Sequence, residues 1–401
     1  MNTAGKGVCA PQGFRAAAAA AGIKKPGTSR LDCALIVSDT PASVAGMFTT
    51  NVVHAAPVTY CREVCAKGVA RAVVVNSGNA NACTGDQGYA DAVETAALAG
   101  RLLGMPPEQV CVSSTGVIGV PLPLDRLAQG IEKCATTLSD ENGADVARAI
   151  MTTDTVPKEV SVEIPLGAGV VSIGAIAKGA GMIAPNMATM LSFITTDAAI
   201  APPDLQTLLQ QAVVKSFNCI CVDNDMSTND TVLCLANGAS EVALSPGTAD
   251  YQRFSDALTE LCVSLAQALV RDGEGATKFI KITVTGAADD ADAKVIASSI
   301  AKSQLCKTAF YGQDANWGRI ACAAGYSGAK FDPANLDLYI QGIHVLKAGQ
   351  PTAYSEEEIQ ELMKALEIKV AIVLQEGPGT ATYWTSDLSL DYVKINADYR
   401  T

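Results

Sequence analysis

Residues 178–191 read Lys-Gly-Ala-Gly-Met-Ile-Ala-Pro-Asn-Met-Ala-Thr-Met-Leu, and the chemistry this run could perform centres on Thr189. A threonine hydroxyl is a poor nucleophile unless a base takes its proton. The chain holds only two histidines, His54 and His344, to act as one. Cleavage between Ala188 and Thr189 would solve this within a single residue. The new α-amino group has an ordinary pKa of about 7.7–8.0, so a useful fraction is neutral near pH 7 and can take the proton of its own hydroxyl. Left uncut, the same run reads as a glycine-rich loop entering a buried strand, with Met-Leu-Ser-Phe-Ile at 190–194 supplying core side chains.

Acyl transfer to Thr189 also needs donors preset where negative charge develops on the attacked carbonyl. Ser113-Ser114-Thr115-Gly116 suits that task, because glycine lets a backbone N–H approach closely and Thr115 adds a hydroxyl. Its plain alternative is a polar turn after a strand. Lys178 is the only cation between Glu163 and Ser216 apart from Lys215. A cation there could hold down the pKa of a nearby amine and orient a carboxylate or acyl oxygen. Glu274 sits in Arg271-Asp272-Gly273-Glu274-Gly275, where a bending backbone could present a carboxylate into a cleft.

The 178–191 block, and essentially the whole chain, resembles the self-processing ornithine acetyltransferases, also called glutamate N-acetyltransferases. The resemblance implies that Thr189 is the nucleophile and that Thr115 and Gly116 form the oxyanion hole. It further implies substrate contacts at Thr152, Lys178, Glu274, Asn396 and Thr401, with Thr153 as the one-position alternative to Thr152. The implied reaction moves acetyl from N2-acetyl-L-ornithine to L-glutamate through an acetyl-Thr189 ester. No cofactor is implied, although acetyl-CoA could serve as a second acetyl donor. The implied fold is a mixed α/β, layered α-β-β-α architecture shared with self-processing aminopeptidases. Cleavage would give fragments 1–188 and 189–401, two of each in the assembly.

These residues must be held by elements whose pattern is legible in part. Strands are expected at 73–76, 110–113, 159–164, 170–176, 190–195, 218–222, 231–236, 278–285 and 370–374, and helices at 90–103, 124–135, 145–151, 203–214, 251–270, 289–302 and 355–366. Strands alternating with helices argue a mixed α and β architecture with layered sheets. No Pro/Ser-rich linker lies near residue 188. A cut there would therefore nick one continuous core, in two lobes joined by a shared sheet.

Composition limits the competing functions. With 401 residues, 49% hydrophobic and 17% charged, the chain can bury a large core. A net charge of −12 lacks the basic footprint of a nucleic-acid binder, and small metabolites are the better match. The alanine run 16–21 is short, and Ile23-Lys24-Lys25-Pro26 follows where a signal-peptide cleavage site would fall. No apolar stretch reaches the roughly 20 residues that span a bilayer, so a cytoplasmic location is expected. Thirteen cysteines are scattered through strand-like runs and read as small buried hydrophobes. Cys61/Cys65 and Cys219/Cys221 lack the further ligands a zinc site needs, and no metal is expected. The polar run 223–230 lacks the central glycine and distal glutamate of a calcium loop.

Other readings remain open on these grounds. Gly179-Ala180-Gly181-Met182-Ile183-Ala184 matches a dinucleotide fingerprint, but Pro185 and the strand-like run after Thr189 oppose the helix that motif requires. An N-terminal-threonine aminopeptidase or amidase would use the same nucleophile and pass the acyl group to water. A noncatalytic, uncut chain is the third. Gln313-Asp314-Ala315-Asn316-Trp317-Gly318-Arg319 has no role that spacing reveals.

Overall fold

The structure is a computed structural model that describes residues 6–184 and 190–398. Ala188, Thr189 and Thr401 lie outside the described residues. Two large sheets organise the chain. The first runs Val110–Val117, Val69–Asn79, Cys33–Phe48, Thr231–Ala236, Leu191–Thr196, Gly169–Lys178, Lys158–Leu166, with Phe14–Ala19 also paired to Cys33–Phe48. Strands from after residue 188 thus lie in the middle, flanked on both sides by strands from before it. Thr231–Ala236 is antiparallel to Cys33–Phe48 and parallel to Leu191–Thr196, which is antiparallel to Gly169–Lys178 with Lys178 opposite Leu191. The hydrogen-bond ladder of the first sheet thus joins strands from before and after residue 188.

The second sheet runs Gln350–Pro351, Ile343–Lys347, Asp337–Ile340, Glu367–Val373, Phe279–Ala287, Gly379–Ser386, Ile220–Cys221 and uses only residues after 188. Side chains in the first sheet alternate between two apolar layers, as the two-residue period of a strand requires. Ile173, Ala175, Ile194, Val232 and Cys234 pack with Leu205 and Leu209 of helix Pro202–Lys215 and with Phe254, Leu258 and Leu265 of helix Ala249–Arg271. The intervening Ile176, Leu191, Phe193, Leu233 and Leu235 join Phe14, Leu127, Ile131 and Ile150 in a second cluster. Helix Ala249–Arg271 also contacts Gly379–Ser386, and Asp290–Lys302 covers Phe279–Ala287 and Gly379–Ser386. This is the mixed α/β, layered fold expected.

Several elements differ from the sequence reading. The alanine run forms strand Phe14–Ala19, in register with Cys33–Phe48, with Ala16 and Ala17 fully buried. Alanine's helical preference yields there to cross-strand pairing and burial. The 16-residue strand Cys33–Phe48 gave no signal because Asp39, Thr40 and Pro41 interrupt its apolar pattern. Its register shifts between Val37 and Ala42, where the bulge accommodates the proline. The helix expected at 355–366 is shorter, Glu356–Leu362, and 218–222 divides into a 3-10 turn Phe217–Cys219 and the strand Ile220–Cys221. Ten of the thirteen cysteines are buried, Cys65 is intermediate, and Cys83 and Cys322 are exposed. No helix among the described residues is long and apolar enough to cross a membrane.

Candidate active site

The ends of the first sheet and two segments beside the second surround one cleft. Its lining includes Thr115, Gly116, Thr152, Thr153, Lys178 and Glu274, together with Asn396. Every expected site residue within the described residues is thus brought to one place, from segments separated by up to 281 positions. Thr152 and Thr153 both face the cleft, so geometry leaves that pair undivided. Ala188, Thr189 and Thr401 fall outside the described residues.

Thr115 and Gly116 lie at the end of strand Val110–Val117, parallel to Val69–Asn79. Gly116 has φ +133°, and a Cβ there would stand 2.3 Å from the Gly78 carbonyl carbon, so the two backbones can approach only at a glycine. Asn229 braces this end by donating from Nδ2 to the Ala80 carbonyl at 2.6 Å and the Ser114 carbonyl at 2.8 Å. Ser114 donates to Asn76 Oδ1 at 2.7 Å. Thr115 is thereby held at a strand terminus that its neighbours cannot leave without losing buried hydrogen bonds.

Lys178 ends the strand Gly169–Lys178, is 2% exposed, and donates from Nζ to Thr115 Oγ1 at 3.2 Å. Because Lys178 can only donate, Thr115 accepts and its own hydroxyl hydrogen is left to point elsewhere. Burial lowers the Lys178 pKa, Lys158 adds to this, and Asp154, Asp230 and Glu274 oppose it. The surrounding carboxylates thus work against the neutralisation that burial favours.

Asp154, which no motif in the sequence singles out, is the hub of a buried network. Its Oδ1 accepts from Lys158 Nζ at 2.7 Å and from the Gly179 N–H at 2.7 Å, and its Oδ2 accepts from the Thr152 N–H at 3.0 Å. Burial works against its charge, but Lys178, Lys158 and the Gly179 N–H outweigh it and hold the carboxyl below its ordinary range. Lys158 reaches on to Asp272 Oδ2 at 2.6 Å, and Asp272 in turn accepts from the Thr155 N–H and hydroxyl. This Asp154–Lys158–Asp272 chain ties the 152–155 loop to the turn that carries Glu274. Sequence reasoning missed it because Asp272 lies 114 positions from Lys158 and all three lie among surface-like polar residues.

Glu274 is half-buried, and its carboxylate stands against Gly181, where an added Cβ would meet it at 2.4 Å. The Glu274 N–H donates to the Ala180 carbonyl at 2.8 Å, and Asn396 Nδ2 donates to Glu274 Oε2 at 2.8 Å. Asn396 and Tyr392 come from the C-terminal helix Leu390–Asp398. Tyr392 donates to Asp223 Oδ2 at 3.3 Å, and Asp223 also accepts from the Met182 N–H at 2.5 Å and the Ile183 N–H at 2.7 Å. Burial pushes Asp223 up to about 6 against those N–H donors. The polar run 223–230 is thus a bracing loop, and its strong polarity between two apolar strands was the available signal. Gln313–Arg319 does not line the cleft: Asn316 caps helix Trp317–Gly325 by accepting from the Arg319 N–H.

The dinucleotide reading fails on this geometry. Residues 179–184 carry no helix, and the described elements on either side are the strands Gly169–Lys178 and Leu191–Thr196.

Comparison with known proteins shows the family. A family model described as the ArgJ family matches residues 15–401. The arginine biosynthesis bifunctional protein ArgJ of Symbiobacterium thermophilum is 51% identical over 396 residues, covering 98% of each chain. That of Geobacter sulfurreducens is 51% identical over 392 residues, covering 97% of this chain and 99% of the other. A crystal structure of the ArgJ protein from Bacillus halodurans is 48% identical with a TM-score of 0.52, covering 53% of this chain and 100% of that one. With the model spanning nearly the full length and relatives near half identity, the chain belongs to the ArgJ family.

Proposed function

We propose that this protein is a self-cleaving glutamate N-acetyltransferase of arginine biosynthesis, which moves acetyl from N2-acetyl-L-ornithine to L-glutamate. The observation that carries this reading is the convergence of Thr115, Gly116, Thr152, Lys178, Glu274 and Asn396 on one cleft, where strand Gly169–Lys178 meets Leu191–Thr196. The names of the ArgJ relatives support the pathway.

In processing, Thr189 Oγ attacks the Ala188 carbonyl, the acyl group shifts from nitrogen to oxygen, and water opens the ester to release fragments 1–188 and 189–401. In turnover, the Thr189 amine takes the hydroxyl proton as Oγ attacks the acetyl carbonyl, and Thr115 and Gly116 donate to the developing oxyanion. The proton passes to the departing ornithine nitrogen, and the glutamate amine then attacks the acetyl ester. Lys178 orients the acyl oxygen or a substrate carboxylate, while Glu274 with Asn396 receives the substrate ammonium. Thr152 and Thr401 complete the amino-acid contacts. Acetyl-CoA is a second donor on this reading, no resident cofactor takes part, the fragments assemble two of each, and the enzyme works in the cytoplasm.

Mass spectrometry of purified protein tests the core of this reading. Wild type should show both fragments, Thr189→Ala should stay intact, and double-reciprocal plots should give parallel lines. Wild type that is active while uncut would remove the amine base and the mechanism with it.

A further inference from the structure

Arg30 is a cation that the scheme above leaves without a task. It stands on a loop, residues 20–32, whose base is closed by Asp32. Asp32 Oδ1 accepts from the Ala21 N–H at 2.6 Å and the Gly22 N–H at 3.2 Å, and Oδ2 accepts from the Ile23 N–H at 2.7 Å. Asp32 is 5% exposed, and its own N–H donates to the Ala19 carbonyl at 3.1 Å, so the clamp is continuous with strand Phe14–Ala19. Arg126 Nη1 donates to the Gly22 carbonyl at 2.6 Å, and the Arg30 N–H donates to Thr28 Oγ1 at 3.2 Å. A loop pinned in this way delivers its arginine to one place, so less freedom is lost when the side chain bonds.

That place is the back of the 151–153 segment. Arg30 Nη2 donates to the Met151 carbonyl at 2.5 Å and to the Thr152 carbonyl at 3.2 Å. Thr152 and Thr153 line the cleft and Arg30 does not, so the guanidinium holds this backbone from the side away from the cleft. The direction of the two carbonyls also sets the direction of two N–H groups. In a planar trans peptide the C=O of one residue and the N–H of the next point opposite ways, and no peptide bond among the described residues is cis. With both oxygens turned to Arg30, the N–H groups of Thr152 and Thr153 are turned the other way. The first is taken, donating to Asp154 Oδ2 at 3.0 Å. The second has no acceptor among the described residues.

We propose that the Thr153 N–H is a donor for the substrate carboxylate and that Arg30 is the positioning residue that aims it. Backbone N–H groups rarely stay without an acceptor, and one on the wall of a binding cleft is available to a ligand. A carboxylate is the fitting acceptor, because hydrogen bonds to an ionised oxygen are the stronger ones. The nearby Asp154 carboxylate does not oppose this anion with a bare charge, since Lys158 Nζ and the Gly179 N–H both bond its Oδ1 at 2.7 Å. The cleft then offers Glu274 as an acceptor and Lys178 and this N–H as donors, the complement of an amino acid's ammonium and carboxylate. The donor is backbone, so the choice between the Thr152 and Thr153 side chains does not bear on it.

The inference rests on acetylornithine and glutamate being the substrates. A wild type that moves no acetyl between them ends that reading, whereas a working wild type with an indifferent Arg30 ends only this one. Arg30→Ala is compared with wild type on fully cleaved protein, using N2-acetylornithine and its α-carboxamide as donors. Arg30→Ala should raise KM for acetylornithine by about 3- to 10-fold with kcat within about twofold, because an aimed donor to an anion is lost from binding and not from the chemical step. For the neutral carboxamide the KM ratio between variant and wild type should stay near one. Arg30→Lys, whose single ammonium can bond one of the two carbonyls, should recover part of the loss. The acetylornithine ratio should also persist in about 1 M salt, where a charge acting from a distance is screened within about 3 Å. Unchanged KM for acetylornithine in Arg30→Ala overturns the proposal. So does an equal rise for carboxylate and carboxamide, which would mark general loosening of the loop, or a ratio that vanishes in salt, which would mark long-range attraction. Arg30 is exposed, and Arg30→Met, which keeps the apolar stem, is read by the same criteria should Arg30→Ala fail to fold.

Discussion

Thr115 and Lys178, at strand ends of the first sheet, are 6% and 2% exposed and hydrogen-bonded to each other, whereas Glu274 is half-buried and Asn396 lies open on a nine-residue helix. The first wall is built from strands before residue 188 that the interleaved strands after it lock in place. The second is built from a turn and a helix held against the first by the Asp154–Lys158–Asp272 chain and by Tyr392 on Asp223. Groups that act on the reacting atoms need a fixed position in a low-dielectric place, and sheet termini supply it. Groups that recognise a passing amino acid can sit where substrate and product exchange with water.

If the two walls divide the work in this way, cutting the link between them should have the largest effect. Lys158→Met removes the buried cation that Asp154 and Asp272 share, and breaking a buried pair of this kind costs about 3–5 kcal/mol. Urea unfolding of the uncleaved Thr189→Ala protein, with and without Lys158→Met, measures this. An equal midpoint would show that the walls are not joined there.

Thr115→Ala tests the rigid wall alone. Loss of one oxyanion donor should lower kcat by about 10²–10³ in fully cleaved protein, with acetylornithine binding much less affected. A cleaved variant with wild-type kcat would make Thr115 a turn residue.

The burial of Asp223 should be visible in stability as a function of pH. Its folded pKa, about 6, lies above that of an unfolded aspartate, about 3.9, so its contribution is present in full below pH 4 and is lost as pH rises through 6. The difference in unfolding free energy between wild type and Asp223→Asn should therefore shift by up to about 3 kcal/mol across that window and be flat above it. A difference independent of pH would mean that Asp223 ionises as an exposed carboxylate does.

Glu274→Gln should have the smallest effect, because a half-exposed carboxylate is screened by solvent. A rise of about tenfold in KM for acetylornithine or glutamate, with normal self-cleavage, is expected. Unchanged KM for both would place substrate recognition elsewhere on this wall.

Much of the proposed chemistry was legible before any fold. The Ala188-Thr189 step, the Thr115-Gly116 pair, Lys178 in a long cation-free stretch and the glycine-flanked Glu274 all carry local signals, and most regular elements follow from apolar periodicity. What local pattern could not show was partnership over distance. Strand Phe14–Ala19 has the composition of a helix, and Cys33–Phe48 is broken by Asp39, Thr40 and Pro41, because sheet pairing and burial outweigh intrinsic propensity. Asp154, Lys158 and Asp272 are unremarkable charges along the chain and become a buried relay only when the 152–155 loop meets the Glu274 turn. Asp230 reads as one of several loop aspartates until strand register sets it against Met190. Residue type and spacing are sequence properties and settle which reactions are available. Burial and the pairing of charges depend on contacts between distant segments, so tertiary structure alone decides which of the many carboxylates and lysines hold the site together.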